Sequence, residues 1–290
     1  MLLIDTLMLV RRCYAKMNFL KNSAGVPTGM EYGTLRVLES LQKKYPDQQI
    51  VLCLDSANSW RRDKCLTYKA NRARVLDDSY YKRLTAFMRL LKATHCHSGK
   101  SGYEADDIMM SLSRAEQGPH LIYTNDHDLL QAITDGVKVL RSFKSKTFEW
   151  DEAKVLEEYG LRPELLPEYQ AFVGDKSDNV VGVPRIVRSF LVDLINWAHE
   201  NDLSQDRMLN EIKTAAWPPK LGRRVWDFVE AGTWHLNYGL IKLKVVDGVT
   251  VSRPVPDAGY VASKLREWEA YSLKLSSEHG VVRPVDNEEF

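Results

Sequence analysis

Three short apolar runs of this 290-residue chain each end in an aspartate: Leu2-Leu3-Ile4-Asp5, Ile50-Val51-Leu52-Cys53-Leu54-Asp55 and Leu121-Ile122-Tyr123-Thr124-Asn125-Asp126. Asp128 follows Asp126 across His127. Glu104-Ala105-Asp106-Asp107 puts three carboxylates in four positions, and Gly174-Asp175-Lys176-Ser177-Asp178-Asn179 adds two more. One aspartate at a strand end need only cap the next turn, and acidic residues in a first helical turn complement the helix dipole. Such roles do not call for so many carboxylates together. Converging carboxylates repel one another unless cations lie between them. Hard divalent cations take oxygen ligands, and two of them about 4 Å apart activate water and stabilise the leaving oxygen of a phosphodiester. Metal-assisted phosphodiester hydrolysis is the chemistry that fits the acidic set.

The elements that would position these residues alternate. The runs at 2–4, 50–54, 120–123 and 137–140 read as strands, and Tyr32–Lys44 and Ser79–Lys92 between them read as helices. Within the second helix Leu84, Phe87, Met88 and Leu91 follow helical spacing. Alternation of this kind predicts an α/β fold, a parallel sheet flanked by helices. In such a sheet the crevice outside the strand carboxyl ends is the usual ligand site. From about residue 150 the pattern changes. Asp151–Tyr159 reads as a helix punctuated by Gly160, Pro163 and Pro167, and helical patterns follow at Asp227–Glu230 and Ala262–Leu275. The expected division is an α/β core over 1–150 and a helical region over 151–290.

Net charge is only +1, so affinity for nucleic acid has to come from the distribution of charge. Between Trp60 and Lys92 lie Arg61, Arg62, Lys64, Lys69, Arg72, Arg74, Lys82, Arg83, Arg89 and Lys92, opposed by Asp63, Asp77 and Asp78. Tyr68, Tyr80 and Tyr81 are interleaved with them. Cations that track a phosphate backbone, with rings on which bases stack, suit single-strand binding. A solvated helix face is the plainer reading of a charge run. The segment follows Asp55 directly, which favours the binding role.

Other signals point to packing or to nothing. His95-Cys96-His97 lacks further ligands at suitable spacing, and His127 is expected to face away from Asp126 and Asp128. Leu265, Trp268 and Tyr271 read as a core stripe, and Gly99-Lys100-Ser101-Gly102 lacks the upstream glycine of a phosphate loop. Cys13, Cys53, Cys65 and Cys96 form no C-x-x-C pair, so reduced thiols are expected. No apolar run approaches a membrane span, and Asp5 comes too early for a signal peptide. The expectation is a soluble protein with no membrane partner.

The order Ile4-Asp5, Asp55, Glu104-Ala-Asp-Asp107, Thr124-Asn-Asp-His-Asp128 and Gly174-Asp-Lys-Ser-Asp-Asn179 resembles the 5′ nuclease (flap endonuclease) superfamily. The likeness is closest to bacterial and phage 5′–3′ exonucleases and to the 5′ nuclease domain of bacterial DNA polymerase I. It implies a PIN-like core with a helical arch at about 60–92 and a helical C-terminal DNA-binding region. Within that region it implies a helix-hairpin-helix-like element at about 170–195. The implied activity is a 5′–3′ exonuclease with structure-specific flap or RNase H-like cleavage, serving DNA replication or repair. Two or more Mg²⁺ or Mn²⁺ ions are implied. Carried over by position, one metal site would use Asp5, Asp55, Glu104, Asp106 and Asp107. The other would use Asp126, Asp128, Asp175 and Asp178. Tyr68-Lys69-Ala70-Asn71-Arg72 resembles the family's segment at the base of the arch, which implies that Lys69 and Arg72 contact the scissile phosphate. Arg61, Arg62, Arg74, Lys82 and Arg83 become candidate DNA contacts.

The implied partners are DNA with 5′ ends, flaps or nicks and RNA·DNA hybrid, met by a monomer in the bacterial cytoplasm, or in the host cytoplasm for a phage protein. A PIN-type endoribonuclease would lack the 174–179 segment, and a non-catalytic binder of branched DNA would have lost acidic positions. Two departures stand out. Thr6 replaces a usual glycine, and the hairpin reads Gly182-Val183-Pro184-Arg185-Ile186-Val187, without its two later glycines. Arg185 and Val187 are expected to hold φ below zero and to bar a phosphate from the backbone amides. Arg185 and Arg188 would then grip the duplex through their side chains.

Overall fold

The computed structural model describes residues 1–72, 78–115, 118–144 and 146–270, together with the backbone of 275–277 and 280–282. The chain packs as two units, each assembled from separate stretches of sequence. One comprises 1–56, 75–125 and 246–290; the other comprises 57–74 and 126–245.

In the first unit, β1 (Leu2–Asp5), β2 (Ile50–Cys53), β3 (Cys96–Ser98) and β4 (His120–Tyr123) are almost wholly buried, as strands covered on both faces must be. They run parallel in the order β3-β2-β1-β4, with Leu2 opposite both Ile50 and Leu121, and Val51 opposite Cys96. Helices α1 (Thr6–Met17), α2 (Gly29–Lys44), α4 (Asp78–Thr94), α5 (Ala105–Ala115) and α12 (Ala258–Glu267) complete the unit. Each hides an apolar stripe: Leu9, Val10 and Cys13 on α1, and Phe87, Leu90 and Leu91 on α4. Residues 246–268 return to this unit. Ser252 exchanges backbone hydrogen bonds of 2.8 and 3.0 Å with His97, which covers the outer edge of β3. Trp268 then meets Phe87 edge to face at 5.6 Å.

The second unit is mostly helical. Its helices are α3 (Trp60–Lys64), α6 (Glu152–Tyr159), α7 (Leu166–Val173), α8 (Arg188–Glu200), α9 (Gln205–Thr214), α10 (Pro219–Glu230) and α11 (Thr233–Ile241). β5 (Val137–Phe143) and β6 (Lys146–Trp150) form an antiparallel pair, and β7 (Gly174–Asp175) and β8 (Val180–Val181) a short ribbon between α7 and α8. Trp234, fully buried on α11, stacks on Tyr238 at 4.9 Å and packs against Phe172 of α7 at 5.9 Å. The Asn237 amide donates to both Ala171 O and Val181 O at 2.9 Å, tying α11 to α7 and to the ribbon. Tyr68, Val180, Leu240 and Ile241 share one buried cluster, which seats residues 57–72 in this unit.

Candidate active site

Each unit carries one part of the acidic set. In the first, Asp5 ends β1 and caps α1, its Oδ1 accepting Met8 N at 3.1 Å and its Oδ2 the Thr124 hydroxyl at 3.0 Å. Asp55 follows β2 and accepts Ala105 N at 3.0 Å, at the start of α5. Capping is therefore real for both, and it fixes where the carboxylates stand. Glu104 and Asp107 are buried and Asp106 is half-buried at that same helix start. The Cys53 thiol registers the convergence: burial pushes its pKa well up, and Asp5, Asp106 and Asp55 push it further.

In the second unit the carboxylates close to ligand distances. Asp128, Asp175 and Asp178 each present an oxygen, all within 4.8 Å of one another, the one such group among the described residues. Asp126 holds the loop by accepting Asp128 N at 2.9 Å. Burial, and then Asp126, Asp178 and Asp175, raise the Asp128 pKa well above the ordinary carboxylate range, with Arg61 opposing. Burial likewise raises Asp126. A hard divalent ion among these oxygens would relieve both desolvation and repulsion, so the donor set fits such an ion. The His127 ring nitrogens meet the Tyr159 hydroxyl at 2.7 Å and Arg141 at 2.9 Å.

The cations divide into three kinds. Arg62, Lys82, Arg185 and Arg188 are exposed. Lys69 and Arg72 lie on Asp178: Lys69 Nζ is 3.4 Å from Oδ2, and Arg72 Nη2 bonds Oδ1. Arg61 and Arg83 correct the expectation of DNA contacts. Arg61 is 2% exposed, and its Nε donates to Leu240 O at 2.7 Å. Arg83 grips the fully buried Glu31 through Nε at 3.0 Å and Nη2 at 2.6 Å. The tyrosines need the same correction. Tyr68 and Tyr80 are buried, Tyr80 edge to face with Tyr14 at 4.7 Å, and only Tyr81 of the three is exposed. Arg74 lies outside the described residues. Tyr68 as a partner of Asp178 and Glu31 as the partner of Arg83 were missed because both contacts form at long sequence separation.

The altered hairpin also differs from expectation. Arg185 holds φ 61°, the left-handed conformation of a glycine, whereas Val187 stays at −79°. Nearby packing fixes the chain path: a Cβ on Gly182 would sit 2.1 Å from Val173 O, and one on Gly174 2.4 Å from Gly182 N. The loop thus keeps a glycine-like turn and presents a guanidinium from it. Thr6 is buried and donates to Ile4 O at 3.3 Å. Burial lowers the His95 pKa to about 4, and Leu265 and Trp268 are core residues, whereas Tyr271 lies outside the described residues.

Comparison with known proteins gives the family. A family model described as "5'-3' exonuclease, N-terminal resolvase-like domain" matches residues 1–160. The chain is 32% identical over 281 residues to a 5'-3' exonuclease of Aquifex aeolicus, covering 93% of this chain and 92% of that one. It is also 32% identical over 192 residues to DNA polymerase I of Pseudomonas aeruginosa, of which it spans 21%. Among solved structures it is similar in fold to the bacteriophage T5 D15 flap endonuclease in a pseudo-enzyme-product complex with DNA and metal ions. That likeness has a TM-score of 0.66 at 19% identity, over 83% of this chain and 88% of that one. The carboxylates at the strand ends, the α/β sheet and these matches together place the chain in the 5′–3′ exonuclease family, as a nuclease of the hydrolase class.

Proposed function

We propose that this protein hydrolyses DNA strands from 5′ ends, at flaps and at nicks, in DNA replication or repair, with RNA·DNA hybrid as a second substrate. The observation that supports this most is the carboxylate group Asp128, Asp175 and Asp178 with Lys69 and Arg72 gathered on it. Asp126, Asp128, Asp175 and Asp178 would hold one divalent ion, Mg²⁺ or Mn²⁺. Asp5, Asp55, Glu104, Asp106 and Asp107 would hold another. Bound there, such ions supply Lewis-acid activation of water and of the phosphoryl oxygen.

The chain's own residues do the rest. Lys69 as a point charge and Arg72 as a planar fork suit stabilisation of charge that develops on the scissile phosphate. Arg62 and Lys82 would follow the single strand by charge alone. Arg185 and Arg188 would hold the duplex, since they border a cavity of about 590 Å³ that Gly174, Gly182 and Val183 also line. The test is digestion of 5′-labelled flap, nicked-duplex and RNA·DNA substrates with Mg²⁺ and with EDTA. Ion-dependent release of 5′ products supports the reading. Cleavage in EDTA, or intact flaps with Mg²⁺, refutes it.

A further inference from the structure

Tyr68, Lys69 and Arg72 all converge on the buried side chain of Asp178. Its Oδ2 accepts the Tyr68 hydroxyl at 2.8 Å and lies 3.4 Å from Lys69 Nζ. Its Oδ1 takes Arg72 Nη2 and, at 3.4 Å, the Ser177 hydroxyl. A carboxylate offers about four lone-pair directions; three hydrogen bonds take directions here, and the Lys69 ammonium stands beside them as an ion pair. Further ties dock the two segments on each other: Lys69 N on Asp178 O at 2.9 Å, Asn71 on Lys176 O at 2.7 Å, and Asn179 on Thr67 O at 2.8 Å. Yet Asp178 is also one of the three carboxylates with oxygens within 4.8 Å of one another.

The same oxygens therefore serve two kinds of cation. We propose that Lys69 and Arg72 compete with the divalent ion for Asp178, so that ion binding releases the two side chains for a phosphate. This rests on the metal reading above and adds a coupling to it. An ammonium and a guanidinium beside the ligands oppose a further cation, both by charge and by occupying oxygens. By reciprocity the ion weakens their hold by the same factor. Tyr68 carries no charge, so it opposes the ion only by the one oxygen direction that its hydroxyl takes, and it keeps the segments docked while the cations change partner. Asp178 is in this sense a positioning residue for Lys69 and Arg72 as well as a ligand.

Calorimetric titration with Mn²⁺, without nucleic acid, tests the coupling. Lys69→Met and Arg72→Met should each bind Mn²⁺ roughly fivefold more tightly than wild type, the low end of usual coupling factors. Lys154→Met, which removes an exposed cation of the same unit paired with Glu157, should leave affinity unchanged. In wild type, where the Lys69 side chain is 12% exposed, acylation of its amine by an amine-reactive ester should speed up as Mn²⁺ saturates. That arm needs no variant to fold. Affinities equal to or weaker than wild type in both variants, or Lys69 labelling that stays flat or slows, overturn the coupling. A wild-type protein that binds no Mn²⁺ overturns the metal reading, and the coupling falls with it.

Discussion

Replacing Arg83 by alanine separates a structural cation from a DNA-contacting one. Glu31 is fully buried on α2, and both of its oxygens are held by the Arg83 guanidinium, at 3.0 and 2.6 Å. Removing one partner of a buried pair strands the other charge in a poor solvent and costs about 3–5 kcal/mol. The Arg83 side chain is 21% exposed, so water can reach part of the vacated space, and the lower end applies. With a urea slope of about 2 kcal/mol/M, a loss of about 3 kcal/mol moves the unfolding midpoint down by about 1.5 M. Urea denaturation followed by circular dichroism measures this. The double change Glu31→Gln with Arg83→Met removes both charges and should recover most of the loss. Had Arg83 been a phosphate contact, alanine would leave the midpoint where it is and reduce the salt slope of DNA binding by about one contact. That pair of results would refute the reasoning.

Three further outcomes follow from particular residues. Arg185→Gly relieves a left-handed backbone that costs a side-chain-bearing residue about 1 kcal/mol, so it should not lower stability while it weakens duplex binding; a variant that binds duplex as wild type does removes Arg185 from the interface. His95 has its pKa lowered to about 4 by burial, against 6.5 in the unfolded chain, so its contribution is complete above pH 6.5 and is lost as pH falls towards 4. The loss stays below about 3 kcal/mol, because water reaches part of this half-buried ring, and His95→Gln should flatten that part of the stability profile measured by urea titration at each pH. Asp175→Asn should weaken Mn²⁺ binding by roughly tenfold or more in calorimetry, and an unchanged affinity would remove it from the ligand set.

β1, β2 and β4 were legible because an apolar run in each leads to an aspartate, and α4 because its stripe keeps helical spacing. α1 was hidden, since Arg11 and Arg12 interrupt Leu9, Val10 and Cys13, and only Asp5 marks its start. β6 buries none of its residues fully, so it owes its form to pairing with β5 more than to any pattern of its own. The helix expected over 262–275 ends at Glu267, where Glu269 turns left-handed at φ 52° and no glycine announces the stop.

The placement of Asp5, Asp55 and Asp126 could be read because each follows an apolar run, and that of Glu104, Asp106 and Asp107 because they gather where α5 begins. Cations could not be sorted, because a charge run looks the same whether its members face water or protein. Arg61 meets a carbonyl 179 positions away and Arg83 a carboxylate 52 away, contacts that only tertiary packing creates. The two packing units were equally out of reach, being built from stretches that are distant in sequence.

Single-turnover cleavage of a 5′-labelled flap by wild type and by Asp128→Asn, each with saturating Mg²⁺ and with EDTA, tests the central claim most directly. Asp128 sits where burial and three neighbouring carboxylates disfavour its charge, so its neutralisation spares the fold and strikes the ion. The account predicts ion-dependent cleavage by wild type and a loss of roughly a hundredfold or more in the variant. Without the ion, the variant should melt no lower than wild type. Cleavage that persists in EDTA, or a variant that cuts at the wild-type rate in saturating Mg²⁺, would contradict it.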